Sequence, residues 1–419
     1  MASSPISASE TTGKLTRGQW LTLLAAFLGW MFDGLEMGIF PIVARPALQQ
    51  MGITGDAEIG QWMGHVTALF LLGAAGGGLV FGWLGDRIGR VQAMSLSILT
   101  YSLFSGCCYF AEQPWHLGVL RFISALGMGG EWSLGVALVM ECWPERHRPW
   151  LAAAIGAASN FGFALIAILA YKFKVTAESW RWVMLVGAAP ALLTFFIRLF
   201  VPESERWKES VTGTIVRPIR EIFSSGLLKT TILAIAFASI ALIGTWGSVQ
   251  WAPLWADKMT AGTVPEAKAM TQFISSIGAI IGCVIGPVLG GLIGRRPTYF
   301  GLCFCSLLSC GYLFRMVDTY GAQFLLTIGF VGASTASFYG WLPLYLPELF
   351  PTRVRATGQG LSFNFGRILA AAGAIYQGDL MRHYDGSYAK AGAIVTLIYA
   401  LGLVLIWLAP ETKGKPLPD

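Results

Sequence analysis

The sequence predicts an all-α membrane protein in which twelve transmembrane helices form two pseudo-symmetric six-helix bundles. Three observations predict this class. Hydrophobic residues make up 55% of the 419 residues and charged residues only 12%, about half of the ~25% charged share that is usual in soluble domains. The apolar residues fall into twelve segments, each long enough to cross a bilayer as a helix. Finally, two motifs in the first half of the chain recur in the second half.

The twelve apolar segments divide the chain into helices, loops and tails. Each is roughly 19 residues or longer, which is enough to span a bilayer with some tilt. The segments are residues 20–43, 62–82, 91–111, 117–140, 149–171, 182–201, 230–256, 269–293, 298–317, 320–346, 356–378 and 391–409. The predicted parts are a cytoplasmic tail (1–19), a first six-helix bundle (20–201), a cytoplasmic linker (202–229), a second six-helix bundle (230–409) and a cytoplasmic tail (410–419). The first nineteen residues are polar, so no cleaved signal peptide is expected.

The Lys and Arg residues predict the orientation of these segments. With the N-terminus in the cytoplasm, 18 of them fall on the inner side and 9 on the outer side, as the positive-inside rule requires. Both termini are then cytoplasmic, in a plasma (inner) membrane. The net charge of +6 is explained by this topology and by the anionic inner leaflet, so nucleic acid is not an expected partner.

Two acidic residues, Asp33 and Glu36, lie inside the first apolar segment. A charge at the centre of a membrane helix costs roughly 2.5–3.5 kcal/mol on insertion scales. Residues three apart share one face of a helix, and a face with two acids must contact protein or a water-filled path. One interpretation is a structural ion pair. The favoured one is a proton or substrate site, because ionisable residues within membranes usually have a function.

Two motifs recur in the chain at nearly the same spacing. Leu84–Arg90 (LGDRIGR) recurs as Leu289–Arg295 (LGGLIGR), shifted by 205 residues. Glu141–Arg148 (ECWPERHR) recurs as Glu348–Arg355 (ELFPTRVR), shifted by 207. Two independent pairs indicate two homologous halves, which is how secondary transporters with a midplane site are built.

These motifs resemble those of a known family. Gly82–Arg90 closely resembles the signature between helices 2 and 3 of the major facilitator superfamily, and the Glu-x-x-Pro-x-Arg-x-Arg pair resembles its sugar-porter branch and relatives, as do Pro202–Trp207 and Pro410–Lys415. The resemblance covers the whole chain and implies ion pairs at the cytoplasmic end that break when the halves rock. The alternative is that these residues are static topology anchors. The expected gating residues are Asp86, Arg87, Arg90, Glu141, Arg146, Arg148, Glu348, Arg353 and Arg355.

Other residues resemble a narrower group. The stretch Asp33–Glu36 is similar to the Asp-Gly-x-Asp of metabolite–proton symporters for organic acids, and Arg121–Trp132 resembles sialate and monocarboxylate transporters. The paired-glutamine motif of sugar porters is absent, because residues 244–251 contain a single glutamine, Gln250. The resemblance implies a proton symporter for a small organic anion. A sugar or polyol symporter is the alternative, and a transport-dead nutrient sensor is disfavoured by the short tails.

The residues themselves support coupling to protons. Arg121 lies in an apolar segment and needs an acidic partner, for which we expect Asp33, so that protonation of Asp33 would release Arg121. Glu131 is ten residues further along the same segment. Glu131 and Glu36 are expected either to relay the proton or to hold helices together.

Arg367 is the only charged residue in the eleventh segment. Its guanidinium can bind a carboxylate through two parallel hydrogen bonds, so it is the expected substrate anchor. The alternative is pairing with a helix end or with an acid of the other half. Further residues expected to line the cavity are Asn364, Trp246, Gln250, Trp341 and Tyr345.

The expected partners are a small-molecule substrate, protons and the lipid bilayer, and the chain is expected to be a monomer. We expect no enzyme activity, cofactor or metal, because the sequence has no nucleophile–base pair, metal-ligand cluster or phosphate loop.

Overall fold

A computed structural model describes residues 16–143, 148–202, 218–351, 354–415 and 418. These residues form helices joined by short loops. In the first half the helices are α1 (Arg17–Gln50), α2 (Asp56–Ile88), α3 (Arg90–Cys107), α4 (Pro114–Met128), α5 (Glu131–Cys142), α6 (Arg148–Phe173), α7 (Trp180–Val186) and α8 (Ala191–Phe200). In the second half they are α9 (Pro218–Ile222), α10 (Leu228–Gly247), α11 (Ala252–Met259), α12 (Ala267–Ile293), α13 (Arg295–Met316), α14 (Ala322–Tyr345), α15 (Arg355–His383), α16 (Tyr388–Val395) and α17 (Ile398–Leu405).

Every predicted apolar segment coincides with helix, which confirms the predicted fold class. Within the described residues, nine helical stretches are long and apolar enough to cross a membrane. The other three predicted segments are also helical. The fourth is interrupted at Gly129–Gly130 between α4 and α5, the sixth at residues 187–190 between α7 and α8, and the eleventh is the continuous helix α15.

The first helix is longer at both ends than the predicted segment 20–43. It begins at Arg17 because Thr16 and Gln19 form a capping box, in which each side chain binds the backbone N–H of the other residue. At its other end the helix continues to Gln50. The prediction was too short because it used apolar character as the boundary, whereas a helix continues for as long as its backbone hydrogen bonds are made.

The recurring motif corresponds to a recurring turn. Gly89 ends α2 and Gly294 ends α12, and both have a φ of 106°. That backbone conformation is open to glycine at little cost. A side chain at either position would strain the short connection to the next helix. The turn therefore explains why Gly89 and Gly294 recur although Asp86 and Arg87 are replaced in the second half by Gly291 and Leu292.

Two helix pairs make the main contacts between the halves. α2 packs along α15, and α6 packs along α12. Small residues permit the first contact, because a side chain at Gly64 would clash with the backbone carbonyl of Ala374. The predicted linker, 202–229, falls mainly on residues 203–217, and most of the predicted tail 1–19 precedes residue 16. Both lie largely outside the described residues.

Candidate functional site

A cavity lies between the two halves, with about 1350 Å³ of empty space when the part open to solvent is counted. Its wall is mainly apolar and aromatic, with Trp30 and Phe70 from the first half and Trp246 from the second. About a third of the lining residues are polar, among them Asn160 and Arg367. This mixture is usual for sites that bind small molecules.

An ion-pair network closes one end of the interface between the halves. It consists of Arg45, Asp56, Asp257, Lys258 and Lys268, and we call it the outer ion-pair network because the Lys and Arg counts predict this end outside the cell. Lys258 binds Asp56 at 2.8 Å and Arg45 approaches Asp257 at 3.4 Å, so each contact joins one half to the other. Within the halves, Arg45 contacts Asp56 at 2.5 Å and Lys268 contacts Asp257 at 3.0 Å. Sequence reasoning did not anticipate this network, although the opposite charges beside the outer helix ends were a signal for it.

The predicted pairing of Arg121 with Asp33 is wrong. Nη1 of Arg121 lies 3.0 Å from Oε1 of Glu36, and both side chains are buried. The physical reason is depth. α1 runs towards the outer end and α4 away from it, so Arg121, near the start of α4, lies level with Glu36. Asp33 lies three residues, roughly 4.5 Å, further from the outer end.

Further contacts hold the Glu36–Arg121 pair in place. The hydroxyls of Ser124 and Ser105 lie 3.2 and 3.3 Å from the same Glu36 oxygen. The guanidinium lies over the rings of Phe40 and Phe70, at 4.8 and 4.7 Å from their centroids. These contacts indicate that the pair holds α1 against α3 and α4.

Asp33 contacts Glu131 instead. Their carboxyl groups are within hydrogen-bonding reach of each other, and both are almost completely buried. No donor among the described residues binds any of their four oxygens. Two carboxylates in such a position cannot both be ionised at low cost, as in other buried carboxyl pairs that share a proton.

Local structure explains how Glu131 reaches this position. The break at Gly129–Gly130 ends α4, and Glu131 begins α5. A side chain at Gly29 on α1 would overlap the Glu131 carboxyl group. The missing side chain at Gly29 thus makes the space in which the Glu131 carboxyl lies beside α1.

Arg367 lines the cavity as predicted and is 7% exposed. Its Nη1 donates to the Asn364 side chain at 3.2 Å and to the backbone carbonyl of Ala74, in the other half, at 3.3 Å. In the part of the chain that the structure describes, no carboxylate lies within 4.0 Å of it. It is near enough to Asp33 to interact with it electrostatically. A buried cation therefore stands next to a buried carboxyl pair, across the interface of the halves.

The other residues predicted to line the cavity separate into two groups. Trp246 and Gln250 line it, and Asn364 lies beside Arg367. Trp341 and Tyr345 do not line it, and that prediction is wrong. Both are fully buried in an aromatic cluster with neighbouring helices, and the Tyr345 hydroxyl donates to the Pro410 carbonyl at 2.6 Å. The reason is helical phase, since the cavity face of α14 carries residues 335, 339 and 342.

The predicted gating residues are only partly described. Arg146 and Arg353 lie outside the described residues, as do the side chains of Asp86, Glu141, Arg148 and Arg355. The Arg87 guanidinium lies 4.3 Å from the ring centroid of Trp83, and the Arg90 side chain is half-buried. Glu348 binds Arg295 through two hydrogen bonds of 2.6 and 2.9 Å, a contact within the second half. The rocking role of these residues stays a prediction.

Known proteins are similar to this chain in sequence and in fold over most of its length. The sequence model of the Major Facilitator Superfamily matches residues 20–374. A putative metabolite transport protein of Haemophilus influenzae is 28% identical over 416 residues, which cover 97% of this chain and 100% of that protein. A probable 4-methylmuconolactone transporter of Cupriavidus pinatubonensis is 30% identical, with 94% and 91% covered. A sialic acid transporter of Escherichia coli is 26% identical, with 94% of each covered.

A solved structure shows the same fold. The crystal structure of a D-xylose–proton symporter superposes with a TM-score of 0.77 at 19% identity, covering 96% of this chain and 100% of that one. At this identity the likeness concerns the arrangement of helices and not the substrate.

Proposed function

The chain belongs to the Major Facilitator Superfamily, and from this premise we propose that it is a secondary active transporter that carries a small organic anion together with protons. The observation that carries the proposal is Arg367, a buried cation in the cavity wall beside the Asp33–Glu131 carboxyl pair. Such an arrangement offers a binding place to a carboxylate and another to a proton.

The proposal of an anionic substrate rests on the buried charge of Arg367. A buried cation is costly unless an anion or several acceptors surround it, and this one has only two neutral oxygens as hydrogen-bond acceptors among the described residues. A substrate carboxylate would supply two charge-assisted hydrogen bonds to the guanidinium. The names of the relatives, which include transporters of 4-methylmuconolactone and of sialic acid, favour a small organic substrate.

The proposal of proton coupling rests on competition between the Asp33–Glu131 pair and the substrate carboxylate for Arg367. A carboxyl pair that shares one proton still carries one negative charge, which attracts Arg367 and repels the carboxylate of a substrate. Binding of a second proton removes this charge and leaves the guanidinium available to the substrate carboxylate. Because Asp33 belongs to the first half and Arg367 to the second, binding of proton and substrate also changes the attraction between the halves. This assigns the coupling role to the Asp33–Glu131 pair and not to release of Arg121.

The closed outer ion-pair network supports an inward-facing state for this conformation. Alternating access would then break the contacts of Lys258 with Asp56 and of Arg45 with Asp257, and close the opposite end. The predicted cytoplasmic gating residues would make their contacts in that second state.

The test uses the full chain in proteoliposomes, with labelled organic acids and sugars supplied with and without an inward proton gradient. We expect the gradient to drive accumulation of an acid. Arg367→Ala should weaken its binding by roughly 30-fold or more, because losing one partner of a buried charged contact costs about 2–5 kcal/mol. Arg367→Lys should be milder but still impaired, since Lys lacks the planar fork.

A neutral analogue provides the control. The methyl ester of the transported acid should bind weakly to the parent protein and respond little to either Arg367 substitution. If the parent binds acid and ester equally well, Arg367 recognises no carboxylate and the sugar or polyol alternative replaces this proposal.

A further inference from the structure

Three hydroxyl groups meet beside the cavity, from Thr245 on α10, Tyr339 on α14 and Tyr399 on α17. We call them the hydroxyl cluster. Thr245 and Tyr339 line the cavity, and Tyr399 lies fully buried behind them. All three oxygens are buried and lie within hydrogen-bonding reach of one another through Thr245, and no other group in the described ranges binds them. Since buried polar groups usually find most of their partners in the backbone, three hydroxyls that have only one another are unusual.

The cluster differs from its neighbours in the same half. Thr271, Thr335 and Thr396 each donate to the backbone carbonyl four residues earlier, at 2.7, 2.7 and 2.9 Å. This local bond is the usual way for a helical threonine to be satisfied. The Thr245 hydroxyl does not make it, and its polar neighbours are the hydroxyls of Tyr339 and Tyr399 instead. Its side chain is therefore oriented towards the cluster and not towards its own helix.

Local packing keeps the cluster together. Gly244 has no side chain, and a Cβ there would overlap the Tyr399 hydroxyl. The helix α10 ends three residues later, at Gly247. Gly244 thus lets Tyr399 approach Thr245, which explains part of the stretch 244–251 that stands where sugar porters carry two glutamines.

The cluster lies in the same wall as Arg367. Tyr339 is near enough to Arg367 to interact with it electrostatically, and both belong to the second half. Hydroxyl groups both donate and accept hydrogen bonds but carry no charge. They suit a hydroxyl or a carbonyl oxygen of a ligand, whereas Arg367 suits its carboxylate.

We propose that Thr245 and Tyr339 form a second subsite, supported by Tyr399, which binds an uncharged oxygen of the substrate while Arg367 binds its carboxylate. The substrate class is then a hydroxy- or oxo-acid with an apolar body that fits against Phe70 and Trp246. This inference rests on the proposed function, since it takes the same cavity as the substrate site.

The test compares matched acids that differ by one oxygen: benzoate against 2-, 3- and 4-hydroxybenzoate, and cyclohexanecarboxylate against its hydroxy- and oxo-derivatives. Dissociation constants are measured on the purified full chain. We expect at least one oxygenated acid to bind the parent more tightly than its plain counterpart. Tyr339→Phe and Thr245→Val should each weaken that acid by about 3- to 10-fold, which is the usual contribution of one neutral hydrogen bond, and should leave the plain acid unchanged.

Thr335→Val is the matched control. Thr335 lines the same cavity, but its hydroxyl already donates to its own helix, so this variant should keep the parent's ratio of dissociation constants for the plain and the oxygenated acid. Equal losses for plain and oxygenated acids in Tyr339→Phe and Thr245→Val, or no loss, would overturn the subsite and leave the transport proposal intact. If none of the acids binds in a way that depends on Arg367, both proposals fail.

Discussion

Two buried charge clusters lie about one helical turn apart on α1, and their members are paired to very different degrees. At Glu36, one carboxylate oxygen accepts a hydrogen bond from the Arg121 guanidinium and lies near two serine hydroxyls. Two aromatic rings flank the cation. At Asp33, two carboxyl groups face each other, none of their oxygens has a donor among the described residues, and the nearby Arg367 belongs to the other half. On the proposed function, this difference separates the charges that hold the first bundle together from those that change partners during transport.

The largest expected effect tests the paired cluster. Arg121→Ala should lower the free energy of unfolding by about 3–5 kcal/mol, because it leaves Glu36 buried without its cation. Asp33→Asn should not lower it, since no donor from the described residues is lost. The measurement is thermal unfolding of the purified variants in detergent.

A double variant separates charge from packing. Arg121→Met combined with Glu36→Gln removes both charges while keeping most of the volume, so it should recover most of the stability lost in Arg121→Ala. Equal stability of Arg121→Ala and the parent would show that the paired cluster is not structural.

The next effect concerns the unpaired cluster. Asp33→Asn and Glu131→Gln should each abolish accumulation driven by a proton gradient but retain counterflow of substrate, because a neutral side chain imitates the protonated state. Uptake and counterflow are measured in the same proteoliposomes. Accumulation against a gradient in Asp33→Asn would remove Asp33 from the coupling mechanism.

Gly29 offers a test of geometry without a change of charge. Gly29→Ala should displace the Glu131 carboxyl and shift the pH dependence of uptake, since a Cβ at this position overlaps that group. Gly76→Ala, where a Cβ meets no atom within 4 Å, is the matched control. The same pH profile for both variants would separate Glu131 from the proton step.

The contrast also shows how far the sequence could be read. The helical character and the positions of the apolar segments followed from bilayer thickness, because every backbone polar group in lipid must be satisfied internally. The acids on α1 were identified as buried for the same reason. Their partners were not, because sequence spacing gives the face of one helix but not its depth relative to another. Arg121 was therefore expected beside Asp33, whereas it pairs with Glu36. A different limit misplaced Trp341: its helix was correctly identified, but the sequence did not show which face of that helix lines the cavity.

A smaller effect is expected at the outer ion-pair network, which is less buried than either cluster. Lys258→Met removes the contact with Asp56 and a hydrogen bond of 2.9 Å to the Gly386 carbonyl. Because Lys258 is 32% exposed, we expect a shift of no more than about 1 kcal/mol towards the outward-open state. The readout is labelling of Thr67→Cys, a buried position on α2 beside Phe70 and Gln250, by an externally added maleimide on a background from which the native cysteines are removed.

Lys174→Met is the control for that measurement. Lys174 pairs with Glu266, also across the halves, but is 61% exposed, so its loss should not change labelling measurably. Equal labelling of the Lys258→Met variant and its parent would show that the outer network does not restrain opening.

The smallest expected effect concerns a fully paired carboxylate at the surface, where the consequences of pairing can be titrated. Burial opposes ionisation of Glu411, but backbone N–H groups of Arg295, Arg296, Lys413 and Thr412 outweigh it and lower the pKa of Glu411. The first two begin α13, so the carboxylate caps that helix.

A lowered pKa of Glu411 in the folded state means that the stabilisation is present above the unfolded pKa, roughly 4.3, and is lost as the pH falls through the folded value. Glu411→Gln should therefore lower the free energy of unfolding slightly at pH 7, by less than about 1 kcal/mol. The difference from the parent should shrink as the pH falls below about 4. A deficit that stays constant down to low pH would mean that Glu411 acts through packing and not through its charge.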